Sequence, residues 1–148
     1  MALFRIDRRT EAGPAEVWRR LTDWPRHSGS VPLTRITVTT PGPTGVGTVF
    51  VARTGLGRLG FEDPMEVVVW EPPGAGRPGR CRLEKRGRVV TGWAEIEVRP
   101  DPRGAGAGAL LVWREDLRVW RLPHAFDALT ARAGRLVFVR ALTRILTP

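Results

Sequence analysis

Ionisable side chains recur on the apolar faces of segments whose alternating pattern is typical of β-strands. Asp63 falls on the same face as Phe61 and Met65, and Lys85 falls on the same face as Leu83. Because successive strand residues point to opposite faces, these charges share the buried side with their apolar neighbours. A buried charge is costly unless it is paired or hydrated. These groups therefore either pair with one another or line a hydrated pocket.

Three further residues extend this pattern. Glu115 alternates with Trp113 and Leu117, and Arg140 continues an apolar stripe on the last helical segment. Arg53 is ambiguous because both faces of its strand carry apolar residues. Two interpretations stay open: a structural ion pair at the end of a cavity, or a polar patch that orients one end of an otherwise apolar ligand.

Acid–base catalysis is a weaker hypothesis for the same residues. Asp63 or Glu115 could shuttle a proton, because burial raises the pKa of a carboxyl group. Lys85 or an arginine could then bind an enolate-like oxygen. Asp63 and Lys85 would lie diagonally opposite each other if a hairpin is centred on the Gly74–Gly79 loop.

Other kinds of site find little support. The two histidines, His27 and His124, lie far apart, and Cys81 is the only cysteine. No spacing typical of a metal site results, so we expect no metal and no cofactor. The segment Gly55–Gly60 matches the dinucleotide pattern G-x-G-x-x-G, but a strand follows it where that pattern needs a helix. A glycine-rich loop at the mouth of a cavity is the better interpretation.

Composition narrows the class of protein. The 148 residues carry a net charge of +9, with Lys85 as the only lysine among 24 basic residues. The arginines are scattered rather than clustered, so we expect no nucleic-acid partner. The hydrophobic content of 42% can fill the core of one domain over residues 1–148. The N-terminus has charges where a signal peptide needs an apolar run, which predicts a cytoplasmic protein.

The predicted elements follow the order strand, two short helices, six strands and one long helix. Strands are predicted at Leu3–Thr10, Thr34–Thr40, Gly47–Thr54, Phe61–Trp70, Arg80–Arg86, Val89–Arg99 and Ala109–Val119. Helices are predicted at Gly13–Leu21, within the kinked segment Asp23–Gly29, and at His124–Leu146. Pairing Cys81 with Ala94 through a two-residue turn, and Ile96 with Leu111 in the next hairpin, brings the apolar faces together.

The long helix has an apolar face that turns partway along. Its first stripe consists of Phe126, Leu129, Ala133, Leu136 and Val137. Its second stripe consists of Phe138, Ala141, Leu142 and Ile145. A turning face predicts a helix held by a curved sheet rather than laid on a flat one.

Several short motifs resemble one known family when they are taken in order. They are Pro14–Trp18, Leu21–Trp24, Gly45–Thr48, Phe61–Met65, Trp70–Pro73, Gly87–Gly92 and Trp113–Asp116. Together they resemble the polyketide cyclase/dehydrase and lipid-transport group of the START-like (SRPBCC) superfamily, over essentially the whole chain. The resemblance implies an α+β helix-grip fold, in which a seven-stranded antiparallel curved sheet wraps around a long C-terminal helix and leaves a cavity between them.

The resemblance also implies a function. Members of the family bind apolar or amphipathic small molecules, and some are aromatase/cyclases. We therefore expect a binder of a lipid- or polyketide-like ligand, with an aromatase/cyclase or dehydratase as the alternative, and peripheral membrane contact stays open. The expected ligand contacts are Trp24, Arg53, Asp63, Met65, Lys85, Trp113, Glu115, Phe126 and Arg140.

Overall fold

The computed structural model describes residues 2–104 and 106–147. Two helices and seven strands follow one another as β1 (Ala2–Thr10), α1 (Pro14–Thr22), β2 (Thr34–Val38), β3 (Val49–Leu56), β4 (Leu59–Glu71), β5 (Gly79–Arg86), β6 (Val90–Pro100), β7 (Ala109–Val119) and α2 (Asp127–Leu146). Single 3-10 turns follow α1 at Trp24–His27 and precede α2 at His124–Phe126.

The strands form one curved antiparallel sheet in the order β1-β7-β6-β5-β4-β3-β2. The first two strands of the chain therefore lie at opposite edges, and α1 with the Trp24–His27 turn spans the distance between them. On α1, Pro14 occupies the first helical position, and Val17 and Leu21 are fully buried. This arrangement confirms the predicted helix-grip architecture, with α2 as the gripped helix.

The predicted strand register is wrong by two residues in both hairpins of β5, β6 and β7. Cys81 pairs with Ile96 instead of Ala94, and Ile96 pairs with Trp113 instead of Leu111. In the first hairpin, Arg86 pairs with Thr91, so the turn is longer than the two residues assumed; in the second, Pro100 pairs with Ala109. A slip of two residues keeps every side chain on its face, and so the apolar faces still coincide.

The long helix is buried along its second half and exposed along its first. Ala141, Leu142 and Ile145 are buried, whereas Leu129 and Leu136 are more than half exposed. The prediction that the first apolar stripe faces the core is therefore wrong. α2 packs chiefly on the edge strand β1.

Gly134 allows the close approach between α2 and the sheet. A Cβ atom at this position would lie 2.9 Å from Phe4 Cε1 and 3.2 Å from Leu117 Cδ1. Any larger residue would push the helix away from β1 and β7. None of the described helices has both the length and the apolar character that crossing a bilayer requires.

Candidate functional site

A cavity of about 200 Å³ lies between the concave face of the sheet, the Trp24–His27 turn and α2. Strands β2 to β7 all contribute side chains, because the inward residues of adjacent strands meet on this face. Most of the lining is apolar: Val31, Ile36, Phe50, Ala52, Phe61, Leu83, Val90, Ala94, Leu117 and Phe138. The cavity is therefore a largely hydrophobic chamber inside the fold.

Three charged side chains lie together on the cavity wall. Lys85 Nζ lies 3.1 Å from Asp63 Oδ2 and 3.3 Å from Glu115 Oε1. Lys85 pairs with Met65 across β4 and β5, which places Asp63 diagonally opposite it as expected. Glu115 comes from β7 and has no solvent exposure. We call Asp63, Lys85 and Glu115 the charged triad.

The triad does not satisfy all of its own hydrogen-bonding groups. Lys85 Nζ donates to Asp63 Oδ2, and Trp113 Nε1 donates to Glu115 Oε2 at 2.9 Å. Glu115 Oε1 is close enough to Lys85 for an ion pair but is not aligned for a hydrogen bond. Asp63 Oδ1 and Glu115 Oε1 thus have no hydrogen-bond partner among the described residues. Unpartnered buried carboxylate oxygens are costly, so they call for an explanation.

Burial and charge act in opposite directions on these three groups. Burial raises the pKa of Asp63 and of Glu115, although the Lys85 ammonium beside them works against the rise. Burial alone would lower the pKa of Lys85, but Glu115 and Asp63 outweigh it and raise that pKa. Lys85 therefore stays cationic, while the two carboxyl groups hold protons more readily than exposed ones.

The opposite part of the wall comes from the turn that follows α1. Trp24 is buried and stacks on Phe50, with ring centroids 4.5 Å apart. His27 Nε2 donates to Leu21 O at 2.8 Å, and burial lowers the pKa of this histidine. Trp24 Nε1 has no hydrogen-bond acceptor in the described part of the chain. This wall is aromatic and uncharged.

Three solved structures share this architecture. A START superfamily protein from Mycobacterium smegmatis is 11% identical with a TM-score of 0.71, covering 95% of this chain and 93% of that one. The Zhui aromatase/cyclase from Streptomyces sp. R1128 is 16% identical with a TM-score of 0.64, covering 97% and 92%. Ara h 8.0201 is 10% identical with a TM-score of 0.61, covering 99% and 98%.

This chain has the START-like helix-grip fold. The fold resemblance predicted from the short motifs is thereby confirmed. No family model and no curated protein matches the sequence. At identities of this size, the likeness to solved structures establishes the START-like fold and leaves the ligand and any reaction open.

Six of the nine predicted contact residues lie together on the cavity wall: Trp24, Asp63, Met65, Lys85, Trp113 and Glu115. The structure places Arg53, Phe126 and Arg140 outside the cavity. That any of the six touches a ligand stays a prediction. The convergence of the five strand residues follows from alternation, which sets the inward face of β4, β5 and β7, whereas Trp24 comes from the 3-10 turn after α1.

Arg53 points away from the cavity because Phe50 and Ala52 occupy the inward positions of β3. Its guanidinium lies 3.8 Å from Glu62 and donates to Gly57 O at 3.1 Å. The strand had apolar residues on both faces, so alternation alone could not orient it. Its expected contact with a ligand inside the cavity is not supported by this position.

Phe126 and Arg140 lie outside the cavity for the same reason. Both belong to the stripe that was expected to face the core, and that stripe faces solvent. Phe126 lies in the 3-10 turn before α2 and is 47% exposed. Phe138, from the second stripe, is the residue of α2 that lines the cavity.

Sequence reasoning missed several wall residues. Phe50 and Ala52 were not chosen because the orientation of β3 was undecided. His27 was weighed above only as a metal ligand, yet it lines the cavity as a neutral, buried group. Among residues 2–104 and 106–147, no three His, Cys, Asp or Glu side chains are grouped so as to hold a metal ion.

Proposed function

We propose that this protein binds a hydrophobic or aromatic small molecule, lipid- or polyketide-like, in the cavity between the curved sheet and α2. The observation that carries the proposal is an apolar chamber of about 200 Å³ with one charged region on its wall. Small-molecule sites are typically concave and apolar, with a few polar groups that orient the ligand. A dry apolar cavity of about 150 Å³ holds benzene, so this one suits one or two fused rings.

The residues of the wall support this function better than a purely structural role. A well-packed core leaves few voids larger than a water molecule, and its buried carboxylate oxygens are nearly always hydrogen-bonded. The START-like fold adds support at the level of architecture. It does not identify the ligand, because one fold hosts many functions.

A retained or added ligand provides the test. Native mass spectrometry of protein purified from its own host should show an added mass, and calorimetric titration with 2-methylnaphthalene should show saturable binding. Ala94→Leu fills the cavity at a buried wall position, so it should abolish both signals. Ala128→Leu adds the same atoms on the exposed face of α2 and should preserve them. If the wild type shows neither an added mass nor binding, the proposal is overturned.

A second candidate function is catalysis on a polyketide intermediate. Asp63 and Glu115 have raised pKa values and border the same cavity, which suits a proton shuttle. The likeness to an aromatase/cyclase supports this candidate. Lys85 would hold the side chains of Asp63 and Glu115 in place rather than act as a neutral base, because its pKa is raised.

Product analysis separates binding from catalysis. A reactive polyketide analogue would be incubated with wild type, Asp63→Asn and Glu115→Gln, and the products would be compared with those formed without protein. Catalysis predicts that at least one substitution changes the product distribution. An unchanged distribution in both variants would leave binding as the function of the cavity.

A further inference from the structure

The formal charge of the cavity wall, with both carboxyl groups ionised, is opposite in sign to the net charge of the whole chain. The protein carries a net charge of +9. Among the described residues that line the cavity, the ionisable side chains are Asp63, Lys85, Glu115 and the buried His27. Because burial keeps His27 neutral, two carboxyl groups face one ammonium. The wall therefore has an excess of acceptors and of negative charge.

The hydrogen bonds of Lys85 show where this excess lies. Its ammonium donates to Asp63 Oδ2 and to Met65 Sδ, at 3.1 Å and 3.6 Å, and it lies 3.3 Å from Glu115 Oε1. Lys85 is therefore already surrounded by three protein groups, two of them carboxyl groups that would compete with an acidic ligand. Glu115 Oε1 and Asp63 Oδ1 remain available as acceptors, although Glu115 is fully buried.

We propose that the cavity selects ligands that present a hydrogen-bond donor, an ammonium or a hydroxyl group, to Asp63 and Glu115, and that it rejects ligands with a carboxylate at that end. This inference rests on the proposed function and names the chemical class of the ligand. An ammonium supplies both the missing positive charge and the missing donor. A hydroxyl supplies only the donor, and a carboxylate adds a third negative group to a buried cluster.

Three probes with one aromatic body and different head groups test this order. They are 2-naphthylmethylamine, 2-naphthalenemethanol and 2-naphthoate, titrated calorimetrically into the full chain at neutral pH. We expect the amine to bind at least about tenfold more tightly than the alcohol, and the alcohol at least about tenfold more tightly than the carboxylate. Carboxylate affinity equal to or above that of the amine would overturn the inference.

Two substitutions show whether the triad sets the order. Glu115→Gln removes one negative charge at nearly constant shape, so the preference for the amine over the alcohol should shrink to within about threefold. Glu84→Gln makes the same change on the opposite face of β5, where Glu84 pairs with Arg82, and should leave the order intact. An unchanged preference in Glu115→Gln would contradict the role of this carboxyl group.

Binding of 2-methylnaphthalene, which has no head group, keeps the two proposals distinguishable. If it binds and the order of the three probes is reversed, the selectivity is wrong while the ligand-binding function stands. If none of the four compounds binds, the proposed function fails and the selectivity fails with it. Because the order is measured first on the wild type, an unstable Glu115→Gln variant would not remove the test.

Discussion

The two faces of strands β5 to β7 differ in how exposed their charged side chains are and in how many ion-pair partners they have. On the concave face, Lys85 and Glu115 are 5% and 0% exposed, and they meet only Asp63 among charged groups of the cavity wall. On the convex face, Glu95 faces three arginines, Arg80, Arg82 and Arg114, at 3.0–3.8 Å. Neighbouring residues of the same strands thus build a buried cluster and a partly exposed one.

The difference explains why the chain uses its single lysine inside and arginines outside. A guanidinium has five donors, which solvent can satisfy on the convex face, and its flat surface covers an aromatic ring: Arg82 lies 4.5 Å above Trp93. An ammonium is compact and has three donors, which suits a cavity with few acceptors. The outer cluster lies on the exposed face of the sheet, whereas the inner one supplies the charged groups of the cavity wall.

Removing one cation from each face should give the largest difference in the loss of unfolding free energy. Lys85→Met leaves two buried carboxyl groups without a cation, and breaking a buried ion pair costs about 3–5 kcal/mol. Arg82→Met removes a cation that is 33% exposed, and exposed pairs contribute about 0–1 kcal/mol. Urea unfolding of both variants at neutral pH measures the two losses of unfolding free energy.

The Lys85→Met loss should also depend on pH. Lowering the pH lets the two orphaned carboxyl groups take up protons, so part of the lost stability should return. Arg82→Met should show no such recovery. Similar losses in the two variants would mean that the concave cluster is as well solvated as the convex one, and the contrast between the faces would fail.

Charge removal at Glu115 should change the pH dependence of stability by a smaller amount. Burial raises the pKa of Glu115 above its usual value of 4.5 in the folded state. The unfolded chain therefore releases this proton first, and the contribution to stability is lost as pH rises through the folded-state pKa. Glu115→Gln has no proton to lose there, so its stability should decline less than that of wild type between about pH 5 and pH 8.

His27 acts in the other direction but cancels from this comparison. Burial lowers its pKa, so its contribution is present above the usual value of 6.5 and is lost as pH falls through the folded-state pKa. The histidine is the same in wild type and Glu115→Gln. The difference between their unfolding midpoints therefore reports the carboxyl groups. Parallel curves for the two proteins would contradict the raised pKa of Glu115.

The sequence predicted the concave face well because alternation is a strong constraint. The alternation of inward and outward strand residues was enough to place Asp63, Lys85 and Glu115 inward. Even a register slip of two residues left them there. A slip of one residue would have moved every side chain to the other face. The pairing partners were predicted wrongly because alternation does not give the length of a connection, such as the turn after Arg86.

Residues on α2 and β3 were harder to place. A helical stripe is defined by its own period, but which stripe is buried depends on what packs against it. Phe126 and Arg140 were assigned to the cavity because their stripe is apolar, whereas α2 rests on β1 with its other side. Arg53 lay on a strand with two apolar faces, so its outward position needed the observed pairing with β4.

Salt dependence provides the smallest and most discriminating contrast between the faces. Glu95→Gln removes the anion from the convex cluster, and we expect a loss of at most about 1 kcal/mol. At about 1 M salt the Debye length falls to about 3 Å, so most of that loss should disappear. Buried pairs are screened far less, so the Lys85→Met loss should persist at the same salt concentration. A salt-insensitive Glu95→Gln loss, or a salt-sensitive Lys85→Met loss, would show that burial does not separate the two clusters.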